Sequence, residues 1–141
     1  VNARYLSDDT VPENVHILTM DLSFISVCKV LPHVRQFLHP RCLCFILVKP
    51  QFEARRQEVC RGGVVRDPSV RQRCLDTVCQ FAETNLGWCV LDTLRAPIKG
   101  PAGNQEFMAV FRPTTSPGAS GTTAAASSSP KPRRAEPDYR R

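Results

Sequence analysis

One apolar segment limits the folds open to this chain more than any other feature. Residues 42–48 form a nearly unbroken apolar run, Cys-Leu-Cys-Phe-Ile-Leu-Val, that ends at Lys49 and Pro50. A run of this length without polar alternation is typical of a strand covered on both faces, as in a parallel sheet. It is far shorter than the ~20 apolar residues of a membrane-spanning helix, and no other window of the sequence approaches that length.

The segments before this run carry a strand pattern and then a helix pattern. Residues 15–20 alternate and are rich in β-branched side chains, which predicts a strand that ends at Asp21. Residues 24–38 place apolar side chains three and four positions apart, which predicts a helix with one buried face. Pro32 is expected to kink or start this helix.

The segments after the run predict one more helix and two more strands. After an Arg-rich loop, Asp67 is expected to cap a helix that has Pro68 as its first residue and Gly87 just past its end. Strands are predicted at residues 88–94 and 106–111. The alternation of strands and helices implies an α/β fold with a parallel sheet and helices on its faces. The last two strands should be antiparallel, because their loop is too short for a helical crossover.

The sequence is expected to be part of a longer one. It begins with Val, and its N-terminus lacks the pattern of a signal peptide. A sheet of three or four strands would also leave the first strand with an open edge.

Charge and composition divide the chain in two. Six of the basic and two of the acidic residues fall in the last thirty positions, which therefore carry most of the formal net charge of +6. This segment is rich in Ser, Thr, Pro and Ala, so it cannot bury enough apolar surface to offset the entropy of ordering. We expect one domain over residues 1–112 and a disordered basic tail over 113–141, which excludes a two-domain enzyme.

The cysteines and histidines do not predict a metal site. The seven cysteines are odd in number, and no pair has the Cys-x-x-Cys spacing of a zinc site. Several fall on predicted core faces, where a reduced thiol packs as a small apolar group. The three histidines show no spacing typical of a metal site or of a base and nucleophile pair.

Charged residues stand where two predicted parallel strands end. Asp21 ends the first strand and Lys49 ends the second, while Glu106 follows the Pro/Gly loop before the last strand. Ligands of open parallel sheets bind beyond the carboxyl ends of the strands, so these residues are candidates for a site. Each could instead be a solvated strand end or one member of an ion pair.

Four motifs in a fixed order resemble one known family. They are Asp-Leu-Ser-Phe-Ile-Ser at 21–26, Leu-Val-Lys-Pro-Gln-Phe-Glu at 47–53, Gly-Gly-Val-Val-Arg-Asp at 62–67 and Ile-Lys-Gly-Pro-Ala-Gly-Asn-Gln-Glu-Phe at 98–107. This set resembles the TlyA-type ribosomal RNA 2′-O-methyltransferases, some of which are named hemolysins, with an FtsJ-like catalytic domain. Asn-Ala-Arg-Tyr-Leu at 2–6 also looks like a segment of that family. The resemblance extends from about residue 2 to residue 112.

The resemblance implies a partial Rossmann-like class I methyltransferase sheet, with this chain supplying strands four to seven and the last strand antiparallel. It implies S-adenosylmethionine as cofactor, with Asn2 near the adenine, and ribosomal RNA as partner. The family's catalytic Lys-Asp-Lys-Glu set maps onto Asp21, Lys49 and Glu106. Its first lysine would lie upstream of Val1, as would the Gly-rich turn that holds the cofactor and an RNA-binding S4 domain. A chain without them is expected to be weak or inert alone.

The residue types also suggest a mechanism. A ribose 2′-hydroxyl is a poor nucleophile until a base removes its proton. Lys49 could be that base in its neutral form, with Asp21 and Glu106 orienting it. The oxygen would then displace the methyl group in line, so alignment would supply much of the acceleration, and no metal would be needed.

An arginine cluster is the candidate RNA surface. Six arginines lie between residues 55 and 73, and Arg55, Arg56 and Arg66 are the candidates for holding rRNA phosphates. The alternative is a solvated loop and helix face. Trp88 is interpreted as a core residue rather than a surface on which a base stacks.

Two other functions remain open at this point. A non-catalytic RNA-binding or ribosome-assembly protein on the same half-fold would need a salt-sensitive RNA surface but no S-adenosylmethionine. A membrane-lytic protein would need an amphipathic or spanning segment, and neither predicted helix has the required strongly basic face. A cytoplasmic location is expected, or an organellar one in a eukaryote, while oligomeric state and target nucleotide are not predicted.

Overall fold

A computed structural model of the chain describes residues 3–114. Its centre is a four-stranded sheet in the order β1-β2-β4-β3. The strands are β1 (Val15–Asp21), β2 (Leu38–Val48), β3 (Cys89–Arg95) and β4 (Phe107–Arg112). β1 and β2 are parallel, and β4 is antiparallel to both of its neighbours, β2 and β3. The predicted α/β class and the antiparallel last pair are confirmed.

The longest helix, α3 (Pro68–Leu86), begins and ends where the sequence predicts. The Asp67 side chain accepts a hydrogen bond from the Ser69 amide, and Pro68 is the first helical residue. Gly87 closes the helix in the left-handed conformation, with φ of 66°, where a side chain would be strained. Six side chains of its inner face are buried, namely Val70, Cys74, Leu75, Val78, Ala82 and Leu86.

The single helix predicted over residues 24–38 is wrong. The structure has instead a 3₁₀ turn at Val27–Lys29, the one-turn helix α1 (Leu31–Val34) and a second 3₁₀ turn at Arg35–Phe37. Pro32 lies in the first turn of α1, where its missing N–H is tolerated, so no helix runs through this position from upstream. β2 also begins at Leu38, four residues earlier than predicted, which leaves little room for a long helix. Most apolar side chains of this segment are nevertheless buried or half-buried, but Phe24, which the spacing placed on the buried face, is 91% exposed.

The prediction that β2 is covered on both faces is also wrong for residues 3–114. Alternate side chains Cys42, Cys44, Ile46 and Val48 are fully buried against α1 and α3, whereas those between them are only half-buried. Both helical segments pack on the same face of the sheet, so the opposite face carries no helix in the described part of the chain.

The cysteines and Trp88 contribute to the interior as expected. Cys42, Cys44 and Cys74 are buried, and Trp88 is 2% exposed and packs against Phe111. Burial raises the pKa of the Cys74 thiol to about 11. The predicted loop between β2 and α3 contains the one-turn helix α2 (Pro50–Glu53) and a 3₁₀ turn at Arg56–Glu58. The tail expected to be disordered lies almost wholly outside the described residues, so its state stays a prediction.

Candidate active site

The structure brings Asp21 and Lys49 into direct contact. Asp21 is the last residue of β1, and Lys49 directly follows β2, so two parallel strands end side by side. The Lys49 Nζ atom lies 2.5 Å from the Asp21 Oδ1 atom. The lysine side chain is only 14% exposed, whereas that of the aspartate is 66% exposed. The ion pair therefore holds the lysine amine at the top of the sheet, with the carboxylate on its solvent side.

Glu106 lies at the same end of the sheet because β4 runs the opposite way. Phe107 pairs with Val48, so the residue before β4 is level with the residue after β2. Glu106 is 7% exposed. It lines, together with Lys49, a cavity of about 360 Å³. Asp21 does not line this cavity, but it contacts Lys49, which does.

A tight turn leaves room for the Glu106 carboxylate. The Gly100 amide donates to the Asn104 carbonyl, and the Gly103 amide donates to the Gly100 carbonyl. A Cβ atom at Gly100 would lie 2.6 Å from Glu106 Oε1, closer than side chains tolerate. A residue with a Cβ at this position would therefore require the Glu106 carboxylate to shift.

Asn104 joins two loops of the cavity, and sequence reasoning missed this role. Its side chain accepts from the Val65 amide at 2.9 Å and donates to the Gly63 carbonyl at 2.8 Å. Asn104 is 2% exposed and Val65 is fully buried, so the bond to the Val65 amide is shielded from water. The motifs at 62–67 and 98–107 were visible in the sequence, but the contacts of Asn104 with Val65 and Gly63 span 39 and 41 residues.

Glu53 fixes the loop that follows Asp21, and it too was missed as an individual residue. One carboxylate oxygen accepts from the Ser26 hydroxyl at 2.6 Å, and the other accepts from the Val27 amide at 2.8 Å. Burial raises the pKa of Glu53, while the two hydrogen bonds act in the opposite direction. This loop between β1 and the first 3₁₀ turn is thereby tied to α2.

Phe24 is an exposed aromatic ring on a strained backbone. Its φ is 63°, which is unusual for a bulky residue, and its side chain is 91% exposed. The ring lies 5.2 Å from that of Phe52, and both rings line the cavity of Lys49. Strain of this kind persists where the surrounding structure enforces it and is concentrated at functional sites.

Of the three candidate RNA-binding arginines, one lies beside the site. Arg56 lines a second cavity of about 890 Å³ that shares Phe24, Gln51 and Phe52 with the first cavity. Arg4 and Lys29 line the same second cavity, which makes its wall basic.

The other arginines of the cluster have different surroundings. Arg71 donates to two backbone carbonyls, and Arg73 pairs with Glu58 at 2.5 Å, so these two stabilise the loop before α3. Arg55 and Arg66 are exposed and line neither cavity. The candidate cofactor residue Asn2 lies outside the described residues.

Residues 3–114 contain neither a metal-binding cluster nor a membrane-spanning helix. No group of three or more His, Cys, Asp or Glu side chains there is arranged to hold a metal ion. No helix in that part of the chain has the length and apolar character needed to cross a membrane.

Comparison with known proteins identifies the family. The profile of the FtsJ-like methyltransferases matches residues 1–112. This chain belongs to the FtsJ-like methyltransferase family. A relative named 16S/23S rRNA (cytidine-2′-O)-methyltransferase TlyA, from Mycobacterium tuberculosis, is 38% identical over 114 residues, covering 81% of this chain and 42% of the relative. Hemolysin A from Brachyspira hyodysenteriae is 34% identical over 77% of this chain and 43% of its own length.

Solved structures show the same FtsJ-like fold. A protein described as a hemolysin from Streptococcus thermophilus superposes with a TM-score of 0.76 at 36% identity, covering 83% of this chain and 42% of that chain. One from Lactococcus lactis gives 0.74 at 36% identity, covering 79% and 53%. The resemblance to TlyA-type proteins is confirmed. The chain spans less than half the length of the curated relatives described above.

The family implies methylation with S-adenosylmethionine, and the described residues fit one half of such a site. Lys49, Glu106, Gln51 and Asn104 give the cavity polar groups suited to a hydroxyl acceptor. The glycine-rich turn from strand to helix that the resemblance assigns to the cofactor is not among residues 3–114.

Proposed function

We propose that this chain carries the methyl-accepting part of a ribosomal RNA 2′-O-ribose methyltransferase. The observation that carries the proposal is the Asp21–Lys49 ion pair at the carboxyl ends of two parallel strands, beside a cavity that Lys49 and Glu106 line. The cytidine in the name of the M. tuberculosis relative makes cytidine a candidate target. We propose that the chain acts on ribosomal RNA in the cytoplasm, and that alone it is weakly active.

The proposed chemistry concerns the acceptor hydroxyl. In enzymes of this kind S-adenosylmethionine supplies an electrophilic methyl group. A ribose 2′-hydroxyl in the cavity would donate to the Lys49 amine in its neutral form, which takes the proton as the oxygen becomes a nucleophile. Asp21 stabilises the ammonium that results, because its carboxylate already lies 2.5 Å away. Glu106, which also lines the cavity, orients the acceptor.

The RNA would approach through the second cavity. Its basic wall, formed by Arg4, Lys29 and Arg56, suits a phosphodiester next to the reacting ribose. Phe24 offers an exposed ring face at the boundary of the two cavities, where a base unstacked from the RNA could pack. Arg55 and Arg66 remain candidates for more distant phosphate contacts.

One observation favours the alternative, a non-catalytic RNA-binding or ribosome-assembly protein on the same half-fold. The contact between Lys49 and Asp21 is also what a purely structural ion pair at the ends of two strands would show. The basic cavity and Phe24 would serve such a protein equally well.

A methylation assay with matched lysine variants separates the two functions. The chain is incubated with S-adenosylmethionine and unmodified rRNA transcripts, and ribose methylation is read from resistance of the 3′ linkage to alkaline hydrolysis. We expect weak methylation that is lost in Lys49→Ala and retained in Lys99→Ala, an exposed lysine outside both cavities. Salt-sensitive RNA binding without methylation or cofactor binding would establish the alternative. Lysis of erythrocytes by the chain would support the membrane-lytic function instead.

A further inference from the structure

Gln51 lines both cavities, and one of the two polar atoms of its side-chain amide already makes a hydrogen bond. It follows Pro50 in α2. Its Nε2 atom donates to Glu106 Oε1 at 3.3 Å. Its Oε1 atom is buried, and no donor among residues 3–114 lies within hydrogen-bonding distance of it.

The carboxylate of Glu106 fixes which way the amide points. Reversing the amide would place its carbonyl oxygen against a carboxylate oxygen, and both atoms are acceptors. The free atom of Gln51 is therefore an acceptor. A buried acceptor without a partner costs free energy, and a donor on a bound ligand would recover it.

The surroundings of this acceptor indicate the kind of donor. Phe24 and Phe52 line both cavities together with Gln51. Aromatic rings pack against the flat faces of nucleobases. The edge of a base packed in this way carries its hydrogen-bonding groups. An ammonium group, such as that of S-adenosylmethionine, has the same donor chemistry. It would be repelled by Arg4, Lys29 and Arg56 in the second cavity, whereas a nucleotide would be attracted through its phosphate.

We propose that Gln51 is a specificity-determining residue, whose Oε1 atom accepts a hydrogen bond from the exocyclic amino group of the base on the reacting nucleotide. Cytosine, adenine and guanine each carry such a group, whereas uracil presents a carbonyl oxygen at the position of the cytosine amino group, and two acceptors would face each other. The inference rests on the proposed function, because it assigns the base of the RNA that the site would methylate.

Short RNAs that differ by a single group test this assignment. The affinity of the full chain is measured by fluorescence anisotropy for labelled hexamers of cytidine, of uridine and of 2-pyrimidinone riboside, which is cytidine without its amino group. We expect cytidine hexamers to bind about five-fold tighter than the other two, the effect of one hydrogen bond between uncharged groups. Gln51→Leu should equalise the three affinities, while Gln80→Leu, on the exposed surface of α3, should keep the preference.

A spectroscopic measurement locates the contact in the unmodified chain. The side-chain NH₂ signals of Gln51, assigned in ¹⁵N spectra by their loss in Gln51→Leu, should move on adding cytidine hexamers and not on adding S-adenosylmethionine alone. Equal affinities for the three hexamers in the unmodified chain would overturn the inference and leave the methyltransferase proposal standing. A shift caused by S-adenosylmethionine alone would reassign Gln51 to the cofactor. Failure to bind any RNA would overturn both.

Discussion

Replacing Asn104 should destabilise the domain far more than a typical polar substitution. In Asn104→Ala the Val65 amide loses its acceptor, and the Gly63 carbonyl loses its donor. Val65 is fully buried and Gly63 is exposed, so water can replace only the second bond. An unsatisfied buried amide costs about 1–3 kcal/mol, and a hydrogen bond exchanged for water costs about 0.5–1.5 kcal/mol. The expected loss is therefore about 2–4 kcal/mol, a large share of the ~5–15 kcal/mol that stabilises a typical domain.

Urea unfolding monitored by Trp88 fluorescence measures this loss. With a slope of about 2 kcal/mol per molar urea, the midpoint should fall by roughly 1–2 M. The control is Asn85→Ala, because Asn85 is exposed near the end of α3 and its side-chain oxygen bonds only locally, to the Thr84 hydroxyl. Faster hydrogen exchange at the Val65 amide should accompany the loss. A destabilisation below about 1 kcal/mol, or one equal to that of the control, would refute the assigned role of Asn104.

Three further predictions concern other parts of the site and core. Gly100→Ala should push the Glu106 carboxylate out of place, because the added Cβ would lie 2.6 Å from it, and should abolish any methylation while the chain remains folded by circular dichroism. Because burial raises the pKa of Glu53 in the folded state, its contribution to stability is largest below the unfolded pKa of about 4.3 and falls as pH rises. The free energy of unfolding of the wild type relative to Glu53→Gln should therefore decrease from pH 4 to pH 7 in urea titrations, and an increase would contradict this. A thiol reagent such as DTNB should react first with Cys60 and Cys89, which are exposed, and equally fast reaction of buried thiols would show that the core is loose.

The elements with strong local signals could be predicted from the sequence, and those decided by tertiary packing could not. The bounds of α3 were correct because local chemistry sets both ends of the helix. Asp67 caps the start with its side chain, Pro68 suits the first helical position, and Gly87 adopts the left-handed conformation at the end. The apolar spacing over residues 24–38 identified most of the buried side chains, but neither the exposure of Phe24 nor the helix type. Two 3₁₀ turns on either side of α1 can bury the same residues as one continuous helix. The sequence could not show that only one face of β2 carries helices within residues 3–114. Periodicity reports which residues are apolar and not which partner covers them.

The candidate site also combines residues that local signals could place with one, Glu106, that depends on the strand order. Asp21 and Lys49 could be paired in advance, because neighbouring parallel strands end at one edge of a sheet. Glu106 joins them only because β4 inserts between β2 and β3, so that the start of an antiparallel strand meets the end of a parallel one. The antiparallel direction of β4 followed from its short loop, but its place in the strand order has no local signal. Had β4 stayed at the outer edge beside β3, Glu106 would lie at least one strand further from Lys49, about 4.8 Å more. The insertion of β4 is therefore what places a second carboxylate, that of Glu106, beside the lysine of the ion pair in one cavity.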